Sequence, residues 1–243
     1  MRESRIGRRH FLFASVSLLA AAPAMARAAS YSGALPWTAN VDGAPKPVDP
    51  AGWTYFTPEE AAVIDALVER LIPADDLSPG GKDVGVTVYI DRQLSGSFGA
   101  ASWFYMNPPF QEGLPGQGTQ SVLTPAQRYR KSIAALGAYC HAAYAGKGFA
   151  ALAAEAQDKL IGQMEAGQLP LLGVSAKAFF QLLWQNTKEG FFADPVYGGN
   201  RGMAGWRMLG FPGARYDYRD WVAKHNQPYP LPPVGIEAHP DWS

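Results

Sequence analysis

Three groups of side chains have types and spacings that invite chemistry. Asp194, Tyr197 and Arg201 fall in one Gly-rich stretch, residues 194–207, and together offer a carboxylate, a phenol and a guanidinium to a polar substrate. Cys140 and His141 are adjacent, and Glu59, Glu60, Asp65 and Glu69 put four carboxylates close together. Each group also has a plainer reading. Asp-Pro followed by Tyr-Gly-Gly-Asn is made of turn formers and reads as a chain reversal. Successive residues on a helix point about 100° apart, so Cys140 and His141 do not converge on a metal or form a nucleophile–base pair. A lone cysteine more often sits in the core, with His141 then at its edge. The acidic residues mark a helix N-terminus, where negative charge is favourable. Simple i+4 counting finds no arginine or histidine for Glu60, and acid–base catalysis needs two carboxylates in contrasting surroundings.

Other chemistries fail on spacing. There is no C-x-x-C-H for covalent haem and no G-x-G-x-x-G for a dinucleotide. Gly198, Gly199, Gly202 and Gly205 do not have the nucleotide spacing, and no strand precedes them. The single cysteine is too few for an iron–sulfur cluster and excludes an internal disulfide. His141, His225 and His239 are too dispersed for a helical two-histidine metal motif, and a G-x-S-x-G elbow is missing. The expectation is a chain without catalytic, cofactor-binding or metal residues of its own.

The N-terminus carries a different kind of information. Arg8 and Arg9 precede an apolar run, with Phe11 and Leu12 just after them, in the pattern of a twin-arginine export signal. That run, residues 11–24, is shorter than the ~20 residues a membrane-spanning helix needs. It ends in small residues, which predicts cleavage near Ala26 or Ala28. Removal of residues 1–28 takes away five arginines and Glu3, moving the net charge from 0 to −4. A mildly acidic chain with scattered lysines gives no phosphate-binding surface, so no nucleic-acid partner is expected. Twin-arginine export carries proteins already folded, usually around a cofactor. A chain exported this way with no cofactor motif points to a partner that holds one.

These residues must be positioned by helices. Residues 1–28 read as the signal peptide and 29–243 as one domain. Thr57-Pro58-Glu59-Glu60 is a capping box with proline at the first helical position. Ile64, Leu67, Val68, Leu71 and Ile72 follow at helical spacing, and Pro73 ends the run. A shorter helix is expected over residues 84–94, and a long loop over 96–122. Thr124-Pro125-Ala126-Gln127 repeats the capping logic before the stripe Tyr129, Ile133, Leu136, Cys140, Ala143. A third long helix is expected over 153–166, ended by Gly167. A fourth is capped by Ser175 and runs through Phe179, Phe180, Leu183, Trp184 and Phe191. That helix is apolar on more than one side, so it is either central or covered by a partner. No stretch alternates as a strand would. The predicted class is all-α: a small irregular helical domain with long Gly/Pro/aromatic-rich loops and extended N- and C-terminal arms. Trp37 and Trp53 lie in the first arm, and Gln227-Pro228-Tyr229-Pro230-Leu231-Pro232-Pro233 favours an extended second arm that could lie along another protein.

The stretch from Gly190 to Arg207, with its Asp194-Pro195-Val196-Tyr197-Gly198-Gly199-Asn200-Arg201 and Gly205-Trp206-Arg207, resembles the gluconate 2-dehydrogenase subunit 3 family. So do Gly210-Phe211-Pro212-Gly213, Phe56-Thr57-Pro58-Glu59-Glu60 and Ile72-Pro73-Ala74-Asp75. The resemblance implies a periplasmic complex associated with the cytoplasmic membrane. It comprises a large catalytic FAD subunit, a multihaem cytochrome c subunit passing electrons to the quinone pool, and this small non-catalytic subunit. The small subunit would support folding of the flavin subunit and its export through the twin-arginine translocase. Arg201, Trp206, Arg207, Arg215, Tyr218 and Trp221 are of types enriched at binding hot spots and are the candidate partner contacts. The competing reading of each aromatic is that it completes the core. Two alternatives for the whole chain are an independent periplasmic enzyme using Asp194, Tyr197 and Arg201, and a transient export chaperone.

Overall fold

A computed structural model describes residues 48–111, 113–114, 121–215 and 218–236. The export signal (Arg8, Arg9, Phe11, Leu12), the cleavage region (Ala26, Ala28) and Trp37 lie outside the described residues.

Six α-helices make up the described fold: α1 (Pro58–Leu71), α2 (Val86–Ser95), α3 (Pro125–Ala143), α4 (Ala154–Glu165), α5 (Ala176–Phe192) and α6 (Ala204–Leu209). There is no strand among the described residues, only an isolated bridge between Gly213 and Val234.

Both predicted capping boxes form. Thr57 Oγ1 accepts the Glu60 N–H at 3.2 Å while Glu60 Oε2 accepts the Thr57 N–H at 2.9 Å. Thr124 and Gln127 exchange the same pair of bonds at 3.3 and 3.1 Å. Ser175 caps α5 by accepting the Ala178 N–H at 3.2 Å. The helix expected from residue 84 starts instead at Val86, because Gly85 is left-handed at φ 84° and breaks the turn before it. α4 is one residue shorter at each end than its apolar pattern suggests.

The core is a contiguous cluster that includes Ile64, Leu67 and Val68 of α1, Ile90 and Leu94 of α2, and Tyr129, Leu136 and Cys140 of α3. Leu160 and Met164 of α4 and Phe179, Leu183 and Phe191 of α5 complete it. Burying each large side chain contributes about 1.5–3 kcal/mol. α5 is the central helix, packing on α1, α2, α3, α4 and α6, which explains its apolar residues on more than one side. Cys140 is buried in the core and His141 is exposed, so the adjacent side chains point apart.

Two parts differ from the sequence reading. The region after Phe192 is not loop throughout, since α6 and three 3-10 turns (Pro195–Tyr197, Arg201–Met203, Arg219–Trp221) punctuate it. α6 is short because left-handed Met203 and Gly210 bracket it. The proline-rich tail is extended, but it lies on its own chain. Ala214 N–H donates to Val234 O at 2.8 Å, and Arg215 Nη2 donates to Pro232 O at 2.7 Å.

Candidate functional site

The Gly-rich stretch after α5 is a close-packed corner. A Cβ on Gly190 would stand 2.8 Å from the Tyr89 ring, and one on Gly199 would overlap the Gly190 carbonyl oxygen. One on Gly205 would overlap the carbonyl of Phe191. Asn200 is fully buried with φ 47°, a left-handed conformation that asparagine tolerates. Its Nδ2 donates to Ala193 O and its Oδ1 accepts the Gly205 N–H, both at 2.8 Å. Absence of Cβ therefore serves close packing, with Asn200 as the pin.

Asp194 is buried, and its carboxylate is already engaged. Oδ1 accepts the Val196 N–H at 3.0 Å and Oδ2 accepts the Ile236 N–H at 2.6 Å. Val196 O in turn accepts the Val48 N–H at 3.0 Å. The arm ahead of α1 and the C-terminal tail thus meet at one 3-10 turn. Asp194 and Tyr197 border an open cleft of about 420 Å³, shared with Tyr89, Gln93, Glu189 and Phe192. Arg201 is not part of that cleft, since its guanidinium lies against Gly85, just ahead of α2. Burial pushes the Tyr89 phenol up to about 12, and the neighbouring Glu189 and Tyr197 add to the shift. The geometry therefore brings together two of the three residues of the enzyme reading, with the carboxylate committed to backbone N–H groups and Tyr89 held protonated.

The candidate contact residues separate into three situations. Trp206 is buried, and its indole N–H donates to Phe192 O at 2.8 Å, so it completes the core. Arg201 and Arg207 are exposed. Arg215, Tyr218 and Trp221 gather round Tyr229 of the returning tail. The Arg215 guanidinium lies 5.2 Å from the Tyr229 ring centroid, and the Tyr218 and Trp221 rings lie 5.9 and 5.3 Å from it. Tyr218 Oη also donates to Gly213 O at 3.1 Å. Around Trp206 it is Met208, Leu209 and Phe211 that face outward.

A second apolar face was missed in the sequence reading, which treated residues 96–122 only as a loop. Trp103, Phe104 and Tyr105 are 84%, 56% and 81% exposed. Their pedestal is a hydrogen-bonded turn: Gly99 N–H donates to Gln93 O at 3.1 Å, Ser102 N–H to Ser97 O at 2.9 Å and Phe104 N–H to Ala101 O at 3.0 Å. Ala126 N–H, at the start of α3, donates to Gly99 O at 3.2 Å and ties the turn down. The signal available in the sequence was charge: from residue 93 to residue 127 Glu112 is the only charged side chain. Interface centres are depleted in charge and enriched in Trp, Tyr, Phe and Met.

Among the described residues no group of three or more His, Cys, Asp or Glu is arranged to hold a metal, and no helix is long and apolar enough to cross a membrane. Residues 58–213 match the profile of the family described as Gluconate 2-dehydrogenase subunit 3. No curated protein and no solved structure matches the chain.

Proposed function

We propose, from the premise that this chain belongs to the gluconate 2-dehydrogenase subunit 3 family, that it is the non-catalytic small subunit of an exported, membrane-associated dehydrogenase complex. The match over residues 58–213 is the observation that carries the reading. In this reading the chemistry belongs to partners. FAD sits in a large subunit that oxidises a sugar acid or polyol, and haem c sits in a cytochrome subunit that passes the electrons on. The small chain contributes the twin-arginine signal, helps the flavin subunit fold, and leaves the cytoplasm bound to it for the periplasm.

Two features of the molecule support this. The one carboxylate of the Gly-rich corner, Asp194, is used to hold the chain together, accepting the backbone N–H groups of Val196 and Ile236. The exposed Trp103-Phe104-Tyr105 tip, set on a hydrogen-bonded pedestal, is the kind of preformed aromatic anchor that binds at low ordering cost. Affinity capture of the tagged chain from the periplasm should retain a flavoprotein in fixed stoichiometry. Recovery of a free monomer while the flavin subunit is present in the same compartment would overturn the permanent-subunit role.

A further inference from the structure

The N-terminus of α5 and the first turns of α3 enclose a cleft of about 250 Å³ that the subunit reading leaves unused. Its polar lining is made of donors. Arg128 of α3 reaches the first turn of α5 and gives one hydrogen bond, from Nη2 to Ala178 O at 3.1 Å. The guanidinium is half-buried and forms no ion pair among the described residues. Burial draws its pKa below the ordinary arginine value, with no carboxylate to offset that.

Ser132 stands one turn further along α3. It is 2% exposed and lines the cleft, and among the described residues its hydroxyl takes no part in a side-chain hydrogen bond. Ser121 and Ser175 also line the cleft, and each spends its oxygen as an acceptor, from Leu123 N–H at 3.1 Å and Ala178 N–H at 3.2 Å. Their O–H protons remain free to donate. The α5 N-terminus adds the positive end of a 17-residue helix with no acidic residue in its first turn. No carboxylate side chain lines the cleft, and Leu123, Val174 and Phe179 form its apolar walls.

We propose that this cleft is a carboxylate-binding site for a singly charged organic acid. The carboxylate sits between the Arg128 guanidinium and the α5 N-terminus, with the Ser132 hydroxyl donating to it and the carbon part against Leu123 and Phe179. A half-buried cation that forms no ion pair among the described residues, a hydroxyl of a buried serine lining the cleft and a helix N-terminus all favour the same thing, an acceptor with negative charge. One guanidinium and a partial helix charge match a monoanion better than a phosphate dianion. The carboxylate has two conceivable sources, a free acid or an acidic side chain of a neighbouring subunit.

The test titrates the full mature chain with acetate, D-gluconate and inorganic phosphate at constant ionic strength, following amide chemical shifts. Saturable shifts at Ser132 and residues 175–178 are expected with acetate and gluconate. Arg128→Gln should weaken them at least 10-fold, and Ser132→Ala, which deletes only a hydroxyl, should weaken them measurably in a protein of unchanged melting temperature. No saturable shift, equal binding by Arg128→Gln, or tighter binding of phosphate than of acetate would each overturn the assignment. Repeating the titration on the assembled complex separates the sources. Retained acetate binding identifies a free acid, whereas acetate that competes with assembly identifies a carboxylate from the neighbour.

Discussion

The buried carboxylate of Asp91, on α2, accepts the backbone N–H of Phe56 at 2.8 Å across 35 residues of sequence. The same two oxygens take the N–H of Tyr55 at 3.0 Å, the N–H of Thr54 at 2.9 Å and its hydroxyl at 2.6 Å. Arg92 pairs with the outer oxygen. One side chain therefore fixes the segment that leads into α1. Asp91→Asn keeps the shape but turns an acceptor into a donor facing those N–H groups. It should cost about 3 kcal/mol, within the range for breaking a buried charged network. Urea melts of the two proteins measure this, and equal midpoints would refute the clamp.

The same carboxylate predicts an acid-side pH dependence. Burial pushes the Asp91 pKa up, but the hydrogen bonds from Phe56, Thr54 and Tyr55 outweigh it and leave the group below its ordinary value. A pKa depressed on folding gives stability that is fully present above the unfolded value of about 3.9 and is lost as pH falls through the folded value. The stability gap between the wild type and Asp91→Asn should therefore be constant near neutral pH and shrink below about pH 4. Melting temperatures across pH 2.5–7 would show it, and a gap that widened with acid would reverse the assigned sign.

Local chemistry was legible in the sequence because it is local. Thr57, Pro58 and Glu60 carry their whole signal within one turn, as do Thr124, Pro125 and Gln127, and both boxes form. Partners brought by packing were not legible. Glu60 meets no cation at helical spacing, yet Arg130 lies 2.7 Å from it, 70 residues away, while also donating to Tyr55 O at 2.8 Å. The engagement of Asp194 was equally hidden, since one of its donors is the backbone N–H of Ile236, a group no side-chain pattern encodes. Residue type suggested a hot spot at Trp206, but type alone does not say which way an indole faces. The exposed tip at Trp103 was the converse: an uncharged stretch whose meaning depended on a turn that only long-range hydrogen bonding to Ala126 completes.

The glycines of the corner make unequal demands. Gly199→Ala puts a methyl onto the Gly190 carbonyl, backbone against backbone, so neither side can yield cheaply. A loss of about 3 kcal/mol is expected, at the upper end for overpacking. Gly202→Ala meets nothing within 4 Å and bears only the strain of φ 63°, about 1 kcal/mol. Thermal unfolding ranks the pair, and a Gly202 variant less stable than the Gly199 variant would contradict the packing account.

Trp103 and Tyr105 should matter for assembly and not for folding. The double substitution Trp103→Ala, Tyr105→Ala removes side chains that are 84% and 81% exposed, so stability should stay within about 0.5 kcal/mol. Affinity for the flavin subunit should fall about 30-fold or more, as for a hot spot worth about 2 kcal/mol. Unchanged affinity would remove this tip from the interface and leave the outward face of Met208, Leu209 and Phe211 as the candidate.

The arginine pair at positions 8 and 9 tests a role that reaches beyond this chain. If the flavin subunit has no export signal of its own and travels bound to this one, Arg8→Lys with Arg9→Lys should strand both proteins in the cytoplasm. Periplasmic dehydrogenase activity should fall to background. Lysine keeps the charge but loses the planar guanidinium with its fixed fork of donors. A receptor that reads geometry rejects it, whereas a general secretory route that needs only positive charge tolerates it. Fractionation followed by immunodetection of both subunits separates route from hitchhiking. Normal export of both would argue against the twin-arginine route. A flavin subunit that reached the periplasm while this chain stayed behind would end the carrier role, and would leave the small subunit a packing partner whose contribution begins only after translocation.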